Sequence, residues 1–597
     1  MSLENATTPE GFGAFDAGNT SRSRGGTSLA APIHLTAGLS SYIAMLLIGM
    51  ACALCISTYV HFAQTWDEPE HLAAGLQLLD KGIYSYDIQH PPLGRVAIAL
   101  GPYLDGARSY GEPGPSGVQE GQDILYRTGK YDEYLRLARL GTLPFLIVLL
   151  GSTWLWARRY FGAPEAAVAV FLLCTTPPLL GHAALATLDV PGAALCTLGF
   201  YLLLRWYETP SFRWACAAAL VSGLAIGTKL SGLPFIGLAA SAWALAFLWT
   251  ALAKSPNRLR SARLWLSAAS MPPLALFTAT LCYGLKFKYL VDLQHPVNTA
   301  LDWLTGTHGV AHDVVYRIAQ KIPLPVGTEQ LVWSIQSLLW HNTYGHLSYF
   351  LGHTGQSGWW DFYPVALSVK TPLAFLMAAV FGLGYLLLQC RKDAAAGERP
   401  RLRWFRAAPT IAFVAILVFC CAYSRINIGV RHVVILYPLM AIAAAAAIVA
   451  MWRHTEHWAV RTVLISLMAW QLSSLWSAYP DYLPYFNALA GDHPERILVD
   501  SDLDWGQDLR RLEYRLQQLH IKTFGLVYLG SADLAAEHLD GARLVKPFAP
   551  ASGWVAVSLY AKSVVAGGRA YAWLDHYLPK ERIGKSMVLY FIPERLP

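Results

Sequence analysis

Apolar runs of about 17–24 residues, each long enough for a bilayer crossing, alternate with short polar stretches along most of the chain. The first, at 41–64, is too long for the hydrophobic stretch of a signal peptide and long enough to span with some tilt, so it reads as an uncleaved first helix. Further runs at 137–157, 164–182, 191–207, 214–230, 232–252, 264–284, 371–389, 407–424, 433–452 and 461–478 bring the expected spans to eleven. The narrowest break is Lys229-Leu230-Ser231-Gly232, between two of them. Residues 1 to about 40, rich in Gly, Ser, Thr and Ala, read as a disordered cytoplasmic tail. The pattern changes after 478: short apolar segments at 496–500, 523–528, 553–559 and 587–592, with an amphipathic helix over 507–520, predict a small α/β domain over 479–597.

Composition agrees with the pattern, since 54% of the 597 residues are hydrophobic and 14% charged. A net charge of +7 would suit a nucleic-acid or anionic-lipid binder, but the basic residues cluster in short loops between apolar runs, where they report orientation. Arg158 and Arg159, Arg205 and Arg213, Lys254 with Arg258, Arg260 and Arg263, the six from Arg391 to Arg406, and Arg453 with Arg461 all fall on the side of Arg22 and Arg24. That side is the cytoplasm, which leaves 65–136, 285–370 and 479–597 extracytoplasmic and makes 41–478 a transmembrane core in the plasma (inner) membrane. The nine cysteines lie in or beside the apolar runs, so neither a disulfide framework nor a cysteine metal site is expected.

The polar segment after the first run opens with Thr65-Trp66-Asp67-Glu68-Pro69-Glu70-His71, followed by His90-Pro91-Pro92-Leu93-Gly94-Arg95. Ionisable groups at a membrane boundary are costly and usually functional. Adjacent carboxylates on a helix point about 100° apart, so Asp67 and Glu68 are placed to divide roles, one facing a ligand and the other the protein. Asp67 with Glu70 three residues on also has the form of a helix cap, with Pro69 in the first turn. Two prolines after His90 hold the chain extended and aim that imidazole. The segment 285–370 is rich in aromatic residues and carries His295, His308, His312, His341, His346 and His353; its rings suit either the headgroup region or stacking on sugars.

The order Asp-Glu, two residues, His, then His-Pro-Pro-Leu-Gly, resembles the protein O-mannosyltransferases and their bacterial relatives, the polyprenyl-phosphate-dependent glycosyltransferases with a GT-C fold. Lys370-Thr371-Pro372-Leu373, Asn427-Ile428-Gly429-Val430-Arg431-His432, Tyr485-Phe486-Asn487 and Asp504-Trp505-Gly506-Gln507-Asp508-Leu509 extend the likeness from Asp67 to about Leu509. One departure is Asp502, where that branch more often has Asn. The resemblance implies a helical polytopic fold and an inverting transfer of a sugar from a polyprenyl-phosphate donor to a hydroxyl or amine of a protein, lipid or glycan, on the outer face. It also implies that Asp67 matches the catalytic Asp of the first outer loop.

Such chemistry asks for one carboxylate base and for cations at the leaving phosphate. Asp67 and Glu68 are the catalytic candidates. Arg136, Arg139, Lys370, Arg425 and Arg431 map to the outer boundary as candidate phosphate cations, each with an alternative reading as a snorkelling interfacial residue. His71, His90, Arg95 and Asp189 complete the candidate substrate-binding set, Asp189 with an alternative reading as a cap for the helix at Pro191. Glu68, His71 and His90 are suitable types for a divalent metal, but Glu-x-x-His is a weak signal and no metal ligand is assigned. The run Asp500 to Asp508 lacks the sixth-position glycine and final Glu of a calcium loop and reads as a turn into a helix. A transporter is the alternative class; it would bind solute near the midplane between repeats, whereas no internal repeat is found and the ionisable groups fall on one side. No nucleic-acid partner is expected.

Overall fold

Helices form over all eleven apolar runs in the computed structural model, which describes residues 37–111, 116–254, 259–289, 309–319, 321–395 and 400–594. Among the described residues seven helices are long and apolar enough to cross a membrane, and an eighth crossing results if one bent pair counts as a single span. That pair, Ala163–Cys174 and Pro177–Ala183, replaces the single helix expected at 164–182 and bends by 69° where Pro177 and Pro178 withhold backbone donors. The helices over 191–207, 214–230 and 461–478 are too short or too polar for that measure; Asp189–Glu208 is buried along most of its length and has little contact with lipid to satisfy. Exposed Met45, Leu245, Trp249, Met377, Phe381, Val418 and Ile465 give the bundle the apolar outer surface of a multi-pass membrane protein.

The first helix, Ala37–Thr58, begins inside the segment expected to be a tail and ends before 64. The rest of the expected tail lies outside the described residues, as do His295 and His308. Leu436–His454 runs through the middle of the bundle with Ala441 and the run from Ala443 to Ala447 buried. A Cβ on Gly382 would stand 2.3 Å from the Ala443 carbonyl oxygen, so the Leu373–Ala395 helix packs there backbone to backbone.

One buried ion pair ties the polar segment after the first helix to this bundle. Glu68 opens the Glu68–Lys81 helix and accepts from Arg139 Nε and Nη2, both at 2.8 Å, with each side chain 1% exposed. The Thr65 and Ala186 amides donate to the same carboxylate at 2.8 and 2.9 Å. Arg139 also donates to the Phe62 and Ala63 carbonyls, where the chain leaves its first helix. A charge-assisted network with nearly every donor matched is the form in which burying two charges is tolerable.

The C-terminal region folds as a five-stranded mixed sheet, in the order Ala542–Leu544, Phe524–Val527, Gly553–Ser558, Met587–Ile592, Glu581–Ile583. The first three strands are parallel and the last three antiparallel. Side chains alternate: Leu526, Ala556, Met587 and Leu589 pack on the Leu509–Gln518 helix, while Val527, Val555, Val557 and Val588 join a second core with Leu559, Val564 and Leu574. The strand expected at 496–500 does not form. Leu498 and Val499 are both buried, in two different cores, so this segment is a buried link between a turn at Pro494–Arg496 and a short helix at Asp500–Leu503.

Glu68→Gln leaves the Arg139 charge buried without its counterion and should cost about 3–5 kcal/mol. The melting temperature of the detergent-purified protein should fall well below that of Arg136→Gln, which alters an exposed side chain.

Candidate active site

Asp67 stands directly before the Glu68–Lys81 helix, but its side chain makes no capping hydrogen bond. It instead accepts from Arg431 Nη1 at 2.6 Å. The capping expectation therefore fails: the carboxylate is drawn away from the helix amides by a cation from a segment 364 residues downstream. Arg431 follows Gly429, whose φ of +131° brings the chain against Ser501; a Cβ there would stand 2.4 Å from Ser501 Oγ. Asp189 Oδ2 lies 4.0 Å from Arg431 Nη1, and Asp189 Oδ1 accepts from Lys229 Nζ at 2.5 Å. Lys229, Asp189, Arg431 and Asp67 thus form a row of alternating charge.

These four residues line a cavity of about 760 Å³, within the range of small-molecule sites. Its lining is of two kinds. The polar part adds Glu70, His71, Asp87, His90, His346, His432 and Asp500 to the charged row. The apolar part comes from three helices: Leu230, Leu233 and Phe235 flank or open one, Ile335, Leu338 and Leu339 lie on the second, and Phe419 and Tyr423 on the third.

Behind the polar wall Arg95 is wholly buried and organises the polar segment after the first helix. Its Nε donates to His71 Nδ1 at 3.1 Å, and its Nη1 donates to the Tyr84 hydroxyl and to the Asp87 carbonyl at 2.9 and 2.8 Å. Its Nη2 bonds the Asp87 carboxylate, which also holds His90 Nδ1 at 2.6 Å. Burial raises the Asp87 pKa, but the His90 and Arg95 charges outweigh it and hold that carboxyl well below the usual range. Burial and the neighbouring Asp87 charge push Glu70 up to about 7. Asp500, with a φ of +39° uncommon outside glycine, is likewise pushed up to about 7 by burial, in spite of the Arg431 charge. His346, 3.0 Å from His341, is lowered by burial to about 4.

Of the residues expected at the site, the structure brings Asp67, His71, His90, Asp189 and Arg431 to the cavity. Six others it places elsewhere. Glu68 and Arg139 are spent on each other, Arg95 lies behind the wall, and Arg136 is exposed on the outside of its helix. Arg425 is exposed and donates to the Thr343 carbonyl. Lys370 is buried and donates to the Leu483 and Asp502 carbonyls at 2.8 and 2.5 Å, joining the C-terminal segment to the bundle. The residues proposed as a metal set do not converge, since Glu68 turns to Arg139; among the described residues no group of three or more His, Cys, Asp or Glu is arranged to hold a metal. Asp502 needs no amide here: its carboxylate accepts from the Val430 amide at 3.0 Å. Sequence reasoning missed Lys229, although a lysine at the break between two apolar runs was a usable signal, and missed Glu70, Asp87 and Asp500 as cavity residues.

Residues 136–280 match the family model described as dolichyl-phosphate-mannose-protein mannosyltransferase. Among solved structures, the chain is similar to ArnT from Cupriavidus metallidurans in the apo state, at 14% identity and a TM-score of 0.44, covering 92% of this chain and 98% of that one. ArnT from the same organism bound to undecaprenyl phosphate gives 13% identity and a TM-score of 0.43, with the same coverage of 92% and 98%. The Archaeoglobus fulgidus oligosaccharyltransferase in the apo form gives 11% identity and 0.45, covering 93% of this chain and 75% of that one. No curated protein matches. The matched segment includes Asp189, Lys229, Leu230, Leu233 and Phe235 of the cavity wall.

The raised pKa of Asp500 has a consequence for stability. Its unfolded carboxyl ionises near 3.8 and the folded one near 7. Between those values the unfolded state gives up its proton first, so stability falls as pH rises. Asp500→Asn should flatten the fall of melting temperature between about pH 4 and pH 7, as read by thermal unfolding across that range.

Proposed function

We propose that this chain is an integral membrane glycosyltransferase that moves a sugar from a polyprenyl-phosphate-linked donor to an acceptor hydroxyl or amine, on a protein, lipid or glycan, at the outer face of the membrane. The observation that carries the reading is the two-part cavity: Arg431 and Lys229 stand in a wall shared with long apolar surfaces from three helices. A ligand that needs both is one with a phosphate joined to a hydrocarbon chain. The family match supports a sugar-phosphate lipid as the donor class, since dolichyl-phosphate-mannose belongs to it.

The resting geometry suggests how the residues act. Arg431 is shared between Asp67, at 2.6 Å, and the more distant Asp189. A donor phosphate entering beside Arg431 and Lys229 competes with Asp67 for guanidinium donors and releases that carboxylate to receive a proton. The acceptor oxygen or nitrogen then forms the new bond to the anomeric carbon from the face opposite the phosphate, and its proton passes to Asp67. The bond from anomeric carbon to phosphate oxygen breaks, and the electron pair leaves with the phosphate, where Arg431 and Lys229 stabilise the charge. One base suffices for this inverting displacement. Glu70, His71, His90 and His346 offer polar groups to the sugar hydroxyls.

Asp67→Asn should reduce transfer from a polyprenyl-phosphate sugar by about 10²–10⁴-fold while leaving binding of the polyprenyl phosphate itself largely intact. Wild-type rates in that variant would remove Asp67 as base. For the orientation, cysteines placed singly at Ser116 and Thr209, in a background lacking the native thiols, should react differently with an impermeant maleimide on intact cells. Only position 116 should label, and the reverse would put the cavity on the cytoplasmic side.

A further inference from the structure

The run Asp504-Trp505-Gly506-Gln507-Asp508 has no part in the transfer step, yet Trp505 touches Arg431 and Trp66, the residue before Asp67. Its ring lies 4.3 Å from the Arg431 guanidinium carbon. Its carbonyl accepts from the Trp66 amide at 3.1 Å, and the Gln507 carbonyl accepts from the Ala63 amide at 3.0 Å. Two backbone bonds therefore clamp the segment that ends in Asp67 onto this run. We propose that Trp505 is the positioning residue of the site, seating the Arg431 guanidinium on its indole face while its backbone fixes the approach of Asp67. The inference rests on the glycosyl-transfer reading.

The surroundings of Trp505 are built for such a role. The ring is 5% exposed, meets His182 edge to face at 6.3 Å and packs with Leu185 and Leu483. The flanking carboxylates anchor the run to the sheet: Asp504 accepts from Ser558 Oγ and the Tyr560 amide at 2.6 and 3.0 Å, and Asp508 from Ser586 Oγ at 2.8 Å. Gln507 closes the turn from within, accepting from the Trp505 amide at 2.7 Å and donating to the Leu503 carbonyl at 2.9 Å. Gly506 has a φ of +91°, and a Cβ there would stand 2.9 Å from the Tyr528 hydroxyl.

An aromatic face suits this cation better than a second carboxylate at bonding distance. Attraction to a ring face depends weakly on rotation of the guanidinium in its own plane. Arg431 can therefore exchange Asp67 for a phosphate oxygen and keep its seat. Its Nε has no hydrogen-bond partner among the described residues, so no bond at that atom opposes the turn.

The test is site-specific replacement of Trp505 by mono-, di- and tetrafluorotryptophan, which keep the shape and weaken the negative face stepwise. The kcat/KM for the polyprenyl-phosphate sugar should fall stepwise, by about tenfold over the series, with a loss of melting temperature smaller than that of Trp505→Leu. Trp505→Phe should retain more activity than Trp505→Leu. A flat response to fluorination in an active enzyme overturns the proposal. The contact is read separately by a thermal double-mutant cycle: the melting-temperature loss of Trp505→Leu should be roughly halved in an Arg431→Met background, and strictly additive losses overturn it. A wild-type protein that transfers no sugar from any polyprenyl phosphate refutes the functional reading instead, and the cycle still decides the contact.

Discussion

The bidentate pair between Glu68 and Arg139 is the constraint on which the rest of the site depends. Both charges are out of water, so the pair is stable only because the carboxylate also meets the Thr65 and Ala186 amides and the guanidinium also meets two carbonyls. That saturation gives the pair its directional value. With Glu68 fixed inward at a helix start, its neighbour Asp67 is turned aside by the helical rotation and meets the cavity. The same network joins the exit of the first helix, the Glu68–Lys81 helix, the helix carrying Arg139 and the loop before Asp189. The two acids of one dipeptide thus hold separate tasks, and the buried one decides where the other stands.

What was legible in the sequence follows from which interactions are local. Apolar runs mark helices because lipid leaves them no other way to satisfy their backbone, and all eleven had helical counterparts. The boundary motif gave Asp67, His71 and His90, and the charge alternation placed Arg431 and Asp189 on the same side. It had no means to tell a cation that faces a ligand from one that braces the fold. Arg139 and Lys370 look like Arg431 in that respect, yet one is consumed by Glu68 and the other by two carbonyls. Lys229 was hidden for the opposite reason, since its partner Asp189 is 40 residues away and the pairing exists only in three dimensions. The false strand at 496–500 shows the limit of periodicity: Leu498 and Val499 look like sheet residues, but a turn ends at Arg496 and a helix starts at Asp500, which leaves no room for a strand between them.

The row Lys229, Asp189, Arg431, Asp67 is balanced in charge before any ligand arrives. Such a site holds its cations in place without leaving them bare at the edge of a membrane, where an unmatched charge is expensive. On the proposed reading the balance also imposes an order of events, because an incoming phosphate must take guanidinium donors from a carboxylate. Base strength and donor binding would then be two aspects of one exchange. On the same reading, the apolar surfaces of three helices beside that row would give a hydrocarbon chain somewhere to lie during the exchange.

The wall supplied by Asp500, Trp505 and Tyr560 comes from the part of the chain that follows every apolar helix. Without that part in place the packed helices lack the indole under Arg431 and the backbone clamp on the segment before Asp67. Completion of the cavity is therefore tied to the folding of the final sheet. On the proposed reading, a chain whose sheet has not yet folded would occupy the membrane as an inert bundle.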